Sequence, residues 1–342
     1  MAKIRTVLGD IAPEEAGPTL THEHLRYAYT GWQSDHNCVW DMRESAAQIA
    51  QVVRDGVERY GFKTIVDMTP PEIGRHPELM AEVSRQSGAH IIAIAGFFPE
   101  VEGMGIPYHW RRQSVEYIAD AMVRDLTEGM VYEGRLTPYK AGMLKAATGG
   151  SSVKVARMGV NGRHIGPYED RVIRGIARAQ RRTGCSINTH TQPMEYKAYN
   201  PGLELLDLLE EEGADPTRVI IGHAFVHPDI DQLKAICERG ACLQIDHIGI
   251  PWQNDSAEAL DELIANAVCA LADAGYLDRL VFSYDRFFTY VRGPAGLPDL
   301  ENESVPIGYM VEQFVPRLER KGFGRDEMHK VMVENPARLL AF

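Results

Sequence analysis

Two histidines one residue apart, in Thr21-His22-Glu23-His24-Leu25, are the first residues in this chain whose type and spacing suggest chemistry. Successive side chains of an extended segment point to opposite faces, so His22 and His24 share a face and can grip one metal ion together. A bare His-x-His is a weak motif, and its weight comes from what recurs downstream. Lys145, His190, His223, His247 and Asp285 return one at a time, each near the end of a short β-rich run. A single histidine in such a place is usually a cap or a satisfied core group. Four runs ending in histidine and one in aspartate are harder to dismiss. Histidine and carboxylate ligands without thiolate suit zinc, manganese or another borderline divalent ion rather than iron–sulfur chemistry.

These residues need a scaffold that brings distant segments to one place. The β-rich runs cover residues 19–24, 63–69, 90–96, 142–147, 185–190, 218–223, 241–247 and 279–285. Between and after them lie amphipathic helical patterns at 44–60, 77–87, 114–129, 169–183, 202–213, 229–239, 256–274 and 305–320. The alternation runs through without a Ser/Gly linker, charge block or low-complexity tract. It predicts one α/β domain over residues 1–342, a (β/α)8 TIM barrel. In such a barrel all strands run parallel, and their C-terminal ends form the face where active sites are built. His22 and His24 then sit on strand 1, Lys145 on strand 4, His190 on strand 5, His223 on strand 6, His247 on strand 7 and Asp285 on strand 8. An open doubly wound sheet is the competing architecture. It normally carries Gly-x-Gly-x-x-Gly after the first strand, where this chain has His-Glu-His-Leu-Arg.

Composition narrows the partners. With 342 residues and 44% hydrophobic content the chain can bury a large core, and a net charge of −12 without a basic patch speaks against nucleic acid. Five scattered cysteines, odd in number and without Cys-x-x-Cys spacing, suit a reducing compartment. The longest apolar run, residues 91–98, is too short to span a bilayer. The expectation is a soluble cytoplasmic protein with a small-molecule substrate and neither nucleic-acid nor membrane partners.

Six segments, taken in order, carry a further likeness. They are Ile4-Arg-Thr-Val-Leu-Gly-Asp10 with Gly17-Pro-Thr-Leu-Thr-His-Glu-His-Leu25, Gly142-Met-Leu-Lys145-Ala, Asn188-Thr-His190-Thr, Ile221-Gly-His223, Ser283-Tyr-Asp285 and Val333-Glu-Asn-Pro-Ala-Arg-Leu-Leu340. In sequence and spacing they resemble the phosphotriesterase-related branch of the amidohydrolase superfamily, nearly end to end. The resemblance implies a binuclear metal centre. One ion would be held by His22, His24 and Asp285 and the other by His190 and His223, with N-carboxylated Lys145 and a hydroxide bridging the pair. Zinc is the first expectation for the two divalent ions, with manganese, cobalt or iron(II) as alternatives. A carbamate on Nζ is an anionic bidentate donor, which a lysine ammonium is not. Two metals sharing a water lower its pKa towards neutrality, and Asp285 would take its proton. His247 would relay that proton, touch the substrate or support a ligand. Lys154, in Ser152-Val-Lys-Val, has similar surroundings but lacks the Gly142-Met-Leu strand, so it reads as a solvated loop lysine. The resemblance also implies a homodimer.

The pocket departs from the best-known members. Family lactonases resemble one another in a tyrosine after strand 3 and an arginine after strand 7; here Phe97-Phe98-Pro99 and Asp246-His247-Ile248 stand instead. Phosphotriesterases proper share the strand-7 histidine but carry tryptophan where Phe98 stands. Phe98 therefore marks the substrate pocket without offering a hydrogen bond. The loops at 26–41, 97–112, 191–200, 248–255 and 286–304 are rich in aromatics, which either line an apolar pocket or cover the barrel top. Arg26 is the candidate contact for an anionic substrate group, as are Lys197 and Arg286, with solvation or a surface ion pair as the ordinary alternative. The expected activity is hydrolysis of a small carboxylic ester, lactone or amide. Phosphotriester hydrolysis is the alternative, since a phosphoryl oxygen makes similar demands on a Lewis acid. A non-catalytic ligand-binding barrel is the reading from another class, and the complete ligand set speaks against it.

Overall fold

A computed structural model describes residues 2–100, 105–149, 163–191, 200–226, 228–251, 255–291 and 305–342. Eight short strands form the barrel wall: β1 (Thr19–His24), β2 (Thr64–Asp67), β3 (His90–Gly96), β4 (Met143–Ala147), β5 (Ile187–His190), β6 (Val219–Ile221), β7 (Cys242–Ile245) and β8 (Leu280–Phe282). Each pairs in parallel with its sequence neighbours, from β1 through to β8. The strands are rich in Ile, Val and Leu because helices cover the outer face while the ring encloses the inner one, so both faces are buried. The segment that follows β8 closes the seam back to β1. Asp285 N donates to His22 O at 3.0 Å, and Arg286–Phe287 pairs in parallel with Glu23 and His24. The closing segment therefore also carries Asp285. The architecture is the expected TIM barrel.

Helices α1 (Met42–Tyr60), α2 (Pro77–Ser87), α3 (Val115–Thr127), α4 (Pro167–Thr183), α5 (Pro201–Glu211), α6 (Ile230–Glu238) and α7 (Ala257–Asp273) fall where the periodicity places them, within three residues at either end. Local chemistry sets their ends. The Asp41 side chain accepts from Glu44 N at 2.9 Å to open α1, and Gly61, at φ 77°, closes it in the left-handed region that glycine enters without cost. Ser114, Asn200, Asp229 and Ser256 cap α3, α5, α6 and α7 in the same way.

The eighth helix differs from its expected span of 305–320. It begins with a π-helical turn at Met310–Phe314 and continues as α-helix over Val315–Glu319. Residues 305–307 are held in another way: the Arg286 guanidinium donates to Val305 O, and the Tyr284 hydroxyl donates to Ile307 O at 2.8 Å while accepting from Met310 N at 2.7 Å. Two hairpins, Ile4–Thr6 with Gly9–Ile11 and Val131–Tyr132 with Arg135–Leu136, were not marked by the alternation, because strands of two or three residues carry too little periodicity.

Inside the ring the wall changes character along the strands. Val66, Met68, Ile92, Ile94, Met143, Ile220, Cys242 and Val281 form an apolar cluster that Ile4 and the C-terminal Leu339 and Leu340 cover from below. Two positions further along the same strands as Met143, Cys242 and Val281 stand Lys145, Gln244 and Ser283, joined by Asn188 of β5, all buried. All five cysteines are free thiols, four of them buried. Among the described residues no helix is long and apolar enough to cross a membrane.

Candidate metal centre

The register of β1 against β2 shifts between Leu20 and Glu23, a bulge-like irregularity within the strand. As a result Thr21 and His22 both reach the barrel interior: the Thr21 hydroxyl lies 3.4 Å from Gln244 Oε1, and His22 Nδ1 lies 2.7 Å from Gln244 Nε2. His24 points the same way, its Nδ1 2.8 Å from the hydroxyl of Thr69, two residues past the end of β2. Both histidines thus fix one ring nitrogen below and present Nε2 above. Asp285 Oδ1 lies 3.1 Å from His24 Nε2 and 3.7 Å from His22 Nε2.

From the far side come His190 and His223, their ring nitrogens Nδ1 and Nε2 facing each other at 2.9 Å. His223 Nε2 is 3.9 Å from Asp285 Oδ2, and the His22 and His223 rings are 5.2 Å apart. His223, His247 and Asp285 all adopt left-handed backbone, at φ 58°, 58° and 64°. Among described non-glycine residues only Glu133 shares that conformation. The cost of such backbone falls on the strand ends that carry the candidate ligands, where it turns each side chain in over the ring. Gly222, just before His223, makes the approach possible: a Cβ there would meet Thr189 O at 2.2 Å.

Asp246, between β7 and His247, holds this half of the site. Its Oδ2 accepts from His223 N and Gln244 Nε2, each at 2.9 Å, and stands 3.1 Å from His223 Nδ1. Its Oδ1 lies 3.0 Å from His247 Nδ1. A single carboxylate therefore orients both rings. Sequence reasoning assigned no role to Gln244, Asp246 or Thr69. The signal for the first two was present in two polar residues at alternate positions of an otherwise apolar strand.

Electrostatics follow from burial. His22, His24 and His190 are pushed below the ordinary imidazole range, by desolvation first, with Asp285 pulling the other way. Neutral rings with free lone pairs are what a metal requires. Burial disfavours the charged form of His247, yet the contact with Asp246 raises it on balance. Burial works against Asp285 as a carboxylate, and His22, His24 and His223 nonetheless hold it well below the usual range. Lys145, fully enclosed with Nζ donating to Met68 O at 2.8 Å, is brought down to about 8 by desolvation, against the pull of Asp285, Asp67 and Glu72.

The donor set fits a cation. Three groups, His22–His24–Asp285, His22–His223–Asp246 and His223–His247–Asp285, each place their nitrogen and oxygen atoms within 4.8 Å of one another. Buried Asp285 Oδ1 has no hydrogen bond of proper geometry despite its histidine neighbours. An anionic oxygen so placed is well matched to a metal ion.

The pocket residues are placed as follows. Phe98 is half-buried, its ring 6.2 Å from that of His190 and 6.4 Å from that of Tyr27. Tyr27 and Phe287 pack on His24, making an aromatic wall beside the cluster. Arg26 is buried elsewhere: Nε donates to Gly74 O at 2.9 Å, and the guanidinium lies 4.4 Å from the Trp40 ring and 5.4 Å from that of Trp32. It lines a cavity of about 210 Å³ with Tyr132 and Glu133, and none of His22, His24, His190 and His223 is in the lining of that cavity. Arg286 reaches Val305 O and Phe288. Lys154 and Lys197 lie outside the described residues.

A sequence profile of the phosphotriesterase family matches residues 2–340. The chain belongs to that family. The phosphotriesterase homology protein of Escherichia coli K12 is 29% identical over 328 residues, covering 95% of this chain and 98% of the relative. The aryldialkylphosphatase of Saccharolobus solfataricus is 27% identical over 334 residues, covering 97% of each. Among solved structures, a mutant of a PTE-like lactonase from Deinococcus radiodurans superposes with a TM-score of 0.82 at 28% identity, over 98% of this chain and 99% of that one. This chain is accordingly a hydrolase of the phosphotriesterase family, and the TIM barrel is the fold it shares with these neighbours.

Proposed function

We propose that this phosphotriesterase-family chain is a binuclear metal-dependent hydrolase of small carboxylic esters, lactones or amides. The observation that carries the reading is the convergence of His22, His24, His190, His223 and Asp285, from four parts of the ring, beside a buried lysine. His22, His24 and Asp285 would hold one ion, His190 and His223 the other, and Lys145 as a carbamate would join them. A lysine brought to about 8 has a substantial amine fraction near neutral pH, the form that can be carboxylated. Two bound divalent ions would supply Lewis-acid polarisation of the substrate oxygen and acidify a water between them.

The chain's own residues supply the rest. Asp285, held as a carboxylate, accepts a proton at Oδ1 or Oδ2. His247 has a ring nitrogen within 4.8 Å of that carboxylate, and Asp246 anchors its Nδ1, so the ring is poised to pass the proton onward. Phe98, Tyr27 and Phe287 form an apolar wall that excludes water from the reacting group. Phosphotriester hydrolysis is the second reading, favoured by the name of the Saccharolobus relative. The lactonase neighbour favours the first.

Metal analysis and a substrate panel test the proposal. The expected result is about two divalent ions per chain, since six candidate ligands exceed one tetrahedral site. Lys145→Ala should lose most of the metal and Lys154→Ala should keep it. Lactones, aryl esters and N-acyl amides should exceed a phosphotriester in kcat/KM. A phosphotriester preferred by about tenfold, or about 1.4 kcal/mol in transition-state terms, would exchange the two readings. Carefully prepared protein without metal would end both.

A further inference from the structure

The residue between the two histidines of β1 has no place in the chemistry above. Glu23 is fully buried and turned away from His22 and His24, towards the segment that closes the barrel. Its Oε1 accepts from the Ser283 hydroxyl at 2.7 Å and from Tyr284 N at 2.9 Å, and its Oε2 accepts from Arg286 N at 2.8 Å. The seam explains why. From Ser283 to Arg286, Ser283 N pairs with Ile245 O and Asp285 N with His22 O, so only alternate N–H groups find a strand carbonyl. Tyr284 N and Arg286 N, the two flanking Asp285, are left to Glu23. Buried N–H groups without an acceptor are strongly disfavoured, and here one side chain satisfies both.

Asp285, between them, sits at φ 64°, a conformation a non-glycine residue keeps only when its surroundings over-determine it. The Ser283 hydroxyl adds a further tie: it donates to Glu23 and accepts from His22 N at 2.7 Å. One residue of β1 thus fixes the backbone of the aspartate against the two histidines on either side of itself.

We propose that Glu23 is the positioning residue for Asp285, holding its carboxylate at the distance from His22 and His24 that a shared ion requires. The inference rests on the metal-centre reading of those three residues. On this view the Glu of His-Glu-His is a clamp with a functional purpose, and its loss is felt first by the ion that Asp285 helps to hold.

Glu23→Gln tests it, because it preserves length and one acceptor while turning an N–H towards one of the donors. In the metal-loaded protein we expect one ion per chain to be released about 10–100-fold more readily in chelator competition, the other ion to be little affected, and kcat to fall by a similar factor with KM within about twofold. The metal-free variant should melt only a few degrees below the metal-free wild type, the loss that one unsatisfied buried donor explains. Ser283→Ala, which removes one donor to Glu23, should show the same split to a smaller degree, and it decides the matter if Glu23→Gln is not recovered folded. Wild-type metal affinity and kcat in the variants would overturn the inference, as would reduced thermal stability with unchanged kcat per metal-loaded chain. A wild-type chain that binds no metal would overturn the metal-centre reading as well, whereas a loaded wild type with unaltered variants would overturn this inference alone.

Discussion

The lower and upper halves of the barrel interior are built from the same strands on opposite principles. Below, Val66, Ile92, Ile94, Met143 and Val281 meet Ile4 and Leu339 in a dry apolar cluster, so the strands are held together by burial without direction. Above, Asn188 Nδ2 donates to Thr21 O at 3.0 Å and to Gln244 Oε1 at 2.8 Å, Gln244 reaches His22 and Asp246, and Asp246 reaches His223 and His247. Polar burial stabilises a fold only when the groups are bonded, and even then little, but bonds have direction. The lower half gives the ring its stability. The upper half uses that stability to hold rings and carboxylates in orientations that burial alone would not select.

The contrast predicts that the two halves fail differently. Asp285→Asn should keep the fold yet lower kcat by at least about 10²-fold, because an amide cannot take up the proton. Steady-state kinetics beside a melting curve will show it, and near-normal turnover would remove Asp285 from the mechanism. Ile92→Ala, in the lower cluster, should do the reverse. It should cost about 2–5 kcal/mol of unfolding free energy while kcat per folded chain stays within about twofold. If Ile92→Ala lowered kcat as Asp285→Asn does, the two halves would not be separable.

A smaller effect sharpens the comparison among buried carboxylates. Glu23 is pushed up to about 8 by burial against three opposing donors; Glu72 is pushed up to about 7 by burial, against weaker opposition from backbone N–H groups and Arg75. The ordinary value for glutamate is 4.5, so between 4.5 and about 7 the unfolded chain loses the Glu72 proton while the fold retains it. Stability then falls as pH rises through that window, and the full penalty stands above it. Glu72→Gln removes the penalty. In metal-free protein the variant should gain stability over wild type at pH 8 and gain almost nothing at pH 4, read from denaturant midpoints. An equal gain at both would assign the effect to packing.

Much of this was legible in the chain. Alternating periodicity located all eight strands and the spans of seven helices, and the ends of those strands named His22, His24, Lys145, His190, His223, His247 and Asp285 as one group. Three features were hidden for physical reasons. The irregularity in β1 that turns Thr21 and His22 inward together arises from pairing with β2, which no local pattern records. The left-handed turns at His223, His247 and Asp285 use residue types that enter that region more readily than most, but so seldom that they do not announce a turn as glycine does. Glu23 and Asp246 act on backbone and rings that are remote in sequence, so each looked like the neighbour of a ligand and nothing more.

Arg26 provides the finest test of where the upper half ends. Its position directly after His24-Leu25 suggested a cationic contact for the substrate, and the structure stacks its guanidinium on Trp40 and Trp32 with Nε on Gly74 O. A buried cation so arranged contributes through the aromatic faces and one hydrogen bond, each about 0.5–2 kcal/mol. Arg26→Met preserves most of the volume and removes both. The expected outcome is a loss of about 1–3 kcal/mol in unfolding free energy, with kcat/KM for anionic and neutral substrates lowered by the same small factor. Paired esters that differ only by a carboxylate remote from the scissile bond are the measurement. A loss of tenfold or more confined to the anionic member would place the guanidinium within reach of the substrate, and the cavity it lines with Tyr132 and Glu133 would then belong to the active site.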